Sequence, residues 1–488
     1  MSVPNIQYSR LDGDETGKEG TSVQSPFHTV QLNREWGDPS SSNGDRIELI
    51  DYPTKSSTLS SGFDLEEDSV LGAIVQESKG KVQYVYGLHE HGEQVSLELV
   101  WSGSRLRLKN CGLLGGLVLT MLLTVIVDWT IRLIIINLKL TGKTTYQDTV
   151  EFAMGRPGKY AVLFANGMFA FGGCVGFCII IGDSIPHVLR AFFPNYIEYF
   201  NRNMIITIVT IFVSYPLSLN RNISKLSKAS MLALVSLLLI VVIIVVRGPT
   251  VGNDYRGSFD LEELFVKPRL FQGISVISFA LVCLHNTSFI YFSLRKPSLR
   301  RFNSLTHISC TISMVVCLIA GYSGFLTFKS KTKGNILNNF PSSDNYINFA
   351  RFCFGFNMLT TFPLEIFVLR DVIRDLISTE TPKGEPLRLS TKRHFIITTA
   401  LVLSTMGISL TTCNLGALLE LVGSTTASLS AYILPPMTNL ILTGERRAAK
   451  EKLPHYACIL FGFSIMVISS TQAIITAIHS DKSSQCDA

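Results

Sequence analysis

Apolar residues gather along the chain into blocks of about twenty, the helix length that crosses a ~30 Å hydrocarbon core. Ten blocks stand out: 112–137, 160–183, 204–220, 229–246, 271–292, 305–328, 346–369, 395–412, 416–442 and 455–478. None alternates apolar and polar residues with a period of two, so helices are predicted rather than barrel strands. Backbone hydrogen bonding in lipid permits little else. Residues 1–80 differ. TSVQSPF, DPSSSNGD and KSSTLSSG are turn-rich and weakly hydrophobic, a composition that predicts disorder. The opening MSVPNIQYSRLDGDETGKEG has no apolar core, so no cleavable signal peptide is expected. The fold class this pattern predicts is an all-α polytopic membrane protein.

Composition sharpens that reading. Only 16% of the 488 residues are charged, against about a quarter in average soluble proteins. A soluble enzyme, a nucleic-acid-binding protein and a secreted disulfide scaffold are all disfavoured. Most of the ten cysteines, such as Cys174, Cys178, Cys310, Cys317 and Cys353, lie inside apolar runs and read as small packing residues. No Cys/His spacing suits zinc, so no metal is expected.

The net charge of +6 becomes informative once its positions are assigned. Alternate inter-block segments hold 21 Lys and Arg, including Lys139, Arg221, Arg300, Arg374 and Arg446, and the other set holds 10. The richer set is cytosolic by the positive-inside rule, and the C-terminus is not. Ten spans would then leave the polar N-terminal tail outside, with nothing in it to direct export. One further helix before residue 111 would return the tail to the cytosol. The segment expected to supply it, KVQYVYGLHEHGEQVSLELVWSGSRLRLK, is too charged to span.

Polar groups inside spans are candidates for function because burying them in a bilayer is costly. Asp128 and Arg132 lie four residues apart on one helical face; they form either an internal ion pair or a gating or proton-linked pair. Block 271–292 centres on Ser278, Cys283, His285 and Asn286. A helix unwound at HNTS would offer backbone groups to a polar substrate, with His285 either lining the site or carrying a proton. Block 346–369 holds Asn357, Thr360, Thr361, Pro363 and Glu365. Pro363 frees carbonyls nearby, so TTFP either helps coordinate an ion or substrate or only kinks the helix. The glycines of block 160–183 read as close packing, and Glu420 is a weaker candidate.

These residues resemble a family. KNCGLLGG at 109–116, VDWTIRLIIINL at 127–138, FAFGGCVGFCIIIGDSIPHVL at 169–189, GNILNNFP at 334–341, ARFCFGFNMLTTFPLEIFVLRDV at 350–372 and SAYILPP at 430–436 are similar to the amino acid/auxin permease family, and in particular to fungal vacuolar amino-acid transporters. The resemblance covers roughly 109–478. It implies a broken-helix, inverted-repeat transporter fold of eleven helices, with helices one and six broken around the substrate. Block 271–292 would be helix six and 346–369 helix eight. It further implies exchange of amino acids across the vacuolar membrane, driven by a proton gradient. The expected partners are amino acid, proton and lipid bilayer, with no cofactor and no nucleic acid. Substrate contacts would come from Ser278, Cys283, His285, Asn286, Thr360 and Thr361, and coupling or gating from Asp128, Arg132, Asn357 and Glu365. An amino-acid-sensing receptor is the alternative, separated by whether substrate accumulates. No enzyme motif is present.

The departure lies in helix one, where the family has a segment of the type MNMANSILGAGILGQPFALKNAG. With free choice of codons, a two-base shift of Val95–Leu108 can read ILGAGMVGQPFALK, and a one-base shift of Lys81–Gln94 can read RSSMSMAFMNMAN. A shifted frame would restore eleven spans and a cytosolic tail. A true sequence as given would predict a chain without transport. The organisation expected is therefore a disordered cytosolic tail at 1–80, an aberrant segment at 81–110, a transporter domain at 111–480 and a short non-cytosolic tail at 481–488.

Overall fold

The computed structural model describes residues 113–479, except 194, 196–199, 221–223, 259–269, 283–286, 295–296, 332–334, 378–389, 413–414 and 445–447. The tails at 1–80 and 481–488 and the aberrant segment at 81–110 lie outside the described residues. Within them the chain is helical and no strand occurs.

A helix occupies each of the ten apolar blocks. Helix α1 is Leu113–Thr141, α2 is the short Tyr146–Met154 and α3 is Arg156–Phe192. Helix α4 is Arg202–Ser218, with a π-helical middle at Thr210–Ser214, and α5 is Ser224–Arg247. Block 271–292 is divided between α6, Leu270–Leu281, and α7, Thr287–Ser293. Then follow α8, Leu299–Phe328, α9, Asn345–Ile377, and α10, Thr391–Thr411. Helix α11 is Leu415–Thr443, π-helical over Gly423–Ile433, and α12 is Ala449–His479. Seven helices among the described residues are long and apolar enough to cross a membrane. Arg202–Ser218, the Val235–Thr250 stretch and Phe271–Leu281 are shorter apolar pieces.

Helix α2 was not visible as an apolar block. It forms because Thr145 caps it, the hydroxyl accepting from the Asp148 amide at 3.2 Å and donating to the Asp148 carboxylate at 2.6 Å. Lys159 then joins it to α3 by an ion pair with Glu151 at 2.7 Å.

Helices α3 and α9 share the longest seam of the bundle. Gly355 of α9 makes it close: a Cβ there would overlap the Ile185 side chain of α3. Gly172 of α3 accepts Val422 of α11 in the same way. Outward faces carry Phe212, Val242, Leu460 and Val467, the apolar exposure a lipid-facing surface requires. The cysteines Cys174, Cys178, Cys310, Cys317, Cys353 and Cys458 are buried and form no disulfide, as their apolar settings predicted.

Candidate functional site

Helix α6 stops at Leu281, and helical backbone resumes at Thr287. Leu281 is the eleventh residue of the 271–292 apolar block, so α6 ends about halfway along it. Of the residues expected there, Cys283, His285 and Asn286 lie outside the described residues. Ser278 is fully buried. Its hydroxyl bonds the Ile274 carbonyl at 2.7 Å and shares a 2.9 Å bond with the Tyr432 hydroxyl of α11. The two helices meet closely because Gly423 lies against the Ser275 carbonyl, where any Cβ would clash. Ser469 of α12 adds a 3.0 Å bond to the Phe271 carbonyl near the start of α6. Phe279 stacks on Phe169 of α3, with centroids 4.7 Å apart.

Tyr432 escaped the sequence reading. An aromatic residue in an apolar run registers as hydrophobic, and only its hydroxyl distinguishes it. The motif SAYILPP was the available signal.

In α9, Thr360 and Thr361 both turn their hydroxyls to the Asn357 carbonyl, at 2.9 Å each. Pro363 lies inside the helix two residues on, and Asn357 is buried. Glu365 is half-buried on the same helix. Among the described residues the threonine hydroxyls make no bond to Ser278.

Asp128 and Arg132 of α1 form the pair their spacing allows. Arg132 Nη2 donates to Asp128 Oδ2 at 2.8 Å, and its Nε reaches the Asp128 carbonyl at 3.2 Å. The sequence reading missed the third member, His307 of α8, whose Nδ1 lies 3.0 Å from the same Oδ2. A histidine two residues inside an apolar block was the overlooked signal. The other carboxylate oxygen, Oδ1, is buried without a hydrogen-bond partner among the described residues. One carboxylate oxygen thus serves both the Arg132 guanidinium and the His307 ring.

Glu420 is buried near the start of α11, one turn before its π-helical stretch. No group of three or more His, Cys, Asp or Glu side chains suited to a metal occurs among the described residues.

The family model described as transmembrane amino acid transporter protein matches residues 107–475. The chain is 58% identical over 387 residues to vacuolar amino acid transporter 2 of Saccharomyces cerevisiae, covering 78% of this chain and 81% of that protein. It is 35% identical over 364 residues to the putative sodium-coupled neutral amino acid transporter 11 of Danio rerio, covering 74% and 80%. Among solved structures, a manganese transporter of Eremococcus coleocola aligns with TM-score 0.52 at 13% identity, over 86% of this chain and 92% of that one. At that identity the likeness is one of fold, in keeping with the all-helical bundle described above. Several long motifs, the helical bundle and a family match spanning most of the chain agree: this protein belongs to the transmembrane amino acid transporter family.

Proposed function

We propose that this amino acid transporter works at the vacuolar membrane, exchanging amino acid for protons, with the substrate bound where α6 gives way to α7. The observation that carries the reading is the end of α6 at Leu281, midway through an apolar block, with the Ser278–Tyr432 hydroxyl pair one turn before it. Helix ends within a bilayer expose N–H and C=O groups to a zwitterionic ligand, the means by which broken-helix transporters hold an amino acid. The yeast relative's name supports the vacuolar membrane. Proton rather than sodium coupling is what the family resemblance implies, and we place it at the Asp128–Arg132–His307 contact. We assign substrate contact to Ser278, Cys283, His285, Asn286, Thr360 and Thr361. Coupling or gating falls to Asp128, Arg132, Asn357 and Glu365. Two inverted repeats remain the organisation the resemblance implies.

Uptake of labelled neutral amino acids into energised vacuolar vesicles tests this. Accumulation should collapse with a protonophore and persist when sodium is replaced by choline. Accumulation that survives the protonophore and stops without sodium would transfer the coupling role to sodium, as the name of the fish relative has it. Binding without accumulation would make the protein a receptor.

A further inference from the structure

We infer that Glu420, Ser424, Ser428 and Tyr432 of α11 form a proton path that ends at Ser278 of α6; the inference rests on the proton coupling proposed above. The four residues recur at a spacing of four, so they follow one face of the helix. All four are buried, and so is Ser278. Serines also suit close helix packing, but packing requires neither an ionisable Glu420 at the head of the row nor a Ser428 hydroxyl left without a hydrogen-bond partner among the described residues. The stretch Gly423–Ile433 is also π-helical, a distortion that favours functional positions.

The chemistry suits conduction. Glu420 is the ionisable head of the row, at the end of α11 that the charge distribution places on the non-cytosolic side. A hydroxyl is both donor and acceptor. It can take a proton on its oxygen and release its own to the next group, with no net bond made or broken. In the present arrangement Ser424 shares a 3.0 Å bond with Ser470 of α12, and Tyr432 is joined to Ser278. Between them the Ser428 hydroxyl is buried and has no hydrogen-bond partner among the described residues. An unpartnered hydroxyl in that position is free to accept from either side.

Neighbouring ionisable groups do not interrupt the row. Helix α6 contributes none between Leu270 and Leu281. Helix α1 contributes Asp128 and Arg132, held by each other and by His307. Helix α3 contributes Cys174 and, further along, Asp183, which is paired with Arg202 at 3.2 Å. In α12 the groups are His455, whose Nδ1 lies 3.2 Å from the Glu451 carbonyl, and the buried Cys458.

The test measures two fluxes in vesicles carrying the full chain: amino-acid-dependent proton movement, by a pH-sensitive dye, and labelled amino-acid exchange at equal pH. Glu420→Gln should lower the ratio of proton to amino-acid flux by about tenfold or more, the scale of a lost proton-transfer group. Ser428→Ala, which removes one buried oxygen, should lower it in the same direction and serves if Glu420→Gln fails to reach the membrane. Parent-like ratios in both variants, with the parent still collapsed by a protonophore, would overturn the path alone. A parent insensitive to the protonophore would overturn the path and the coupling together.

Discussion

Asp128 shows how much one side chain can decide in a low-dielectric setting. Its Oδ2 is shared between Arg132 and His307 at 2.8 and 3.0 Å. Removing one partner of a buried pair leaves an uncompensated charge, a loss of about 3–5 kcal/mol when burial is complete. Arg132 retains 26% side-chain exposure, so solvent screening reduces that to roughly 1–3 kcal/mol. Asp128→Leu and Arg132→Leu should therefore each lower the apparent unfolding temperature more than the double variant does. Strict additivity across that cycle would show that the two charges do not stabilise each other. Spacing alone made this pair legible, because two charges inside an apolar block have little else to meet. His307 was less legible: its partner is distant in sequence, and only the packing of α8 on α1 brings it there.

At the scale of the element, the motif GNILNNFP acquires a physical reason. Asn335 caps a 3₁₀ turn at Ile336–Asn339, accepting from the Leu337 amide at 3.0 Å. Arg351, among the largest fully buried side chains, reaches back from α9. It donates to the Leu337 and Phe340 carbonyls at 2.7 and 3.1 Å and to Asn348 Oδ1 at 2.6 Å. Arg351→Ala should free two buried carbonyls, at about 1–3 kcal/mol each. The purified variant should unfold several degrees lower in detergent while remaining membrane-inserted. An unchanged transition would mean that the turn holds without the arginine. Hydrophobic blocks revealed where helices lie because burial in lipid dominates every other term. They could not distinguish α-helix from π-helix in α4 and α11, since both bury the same residues. Nor could they reveal α2, a nine-residue helix held by its Thr145 cap and two ion pairs from Lys159 rather than by an apolar block.

At the scale of the whole molecule, ties at both ends of the bundle join helices distant in sequence. Arg202 bonds Asp183 at 3.2 Å and also reaches the Ser409 and Thr412 carbonyls, so α3, α4 and α10 are fastened together. At the opposite end, Gln147 of α2 donates to Asp375 of α9 at 3.1 Å. These long-range contacts have no sequence signature. The charge count, by contrast, bears on the whole molecule, since together with a cytosolic N-terminal tail it predicts one more span than the ten blocks supply. Independent transcript reads across codons 80–110 should carry single-base differences that restore ILGAGMVGQPFALK. Reads that agree with the present frame would sink that expectation, and the chain should then fail to accumulate amino acids.

The contact between α6 and α11 bears finally on how the protein is made. Ser278 and Ser275 of α6 meet Tyr432 and Gly423 of α11, a surface synthesised more than 140 residues later. The Ser278 hydroxyl therefore gains its tyrosine partner only once α11 is in place. Substitutions that weaken the α6–α11 contact will reduce the amount of protein before they alter its activity.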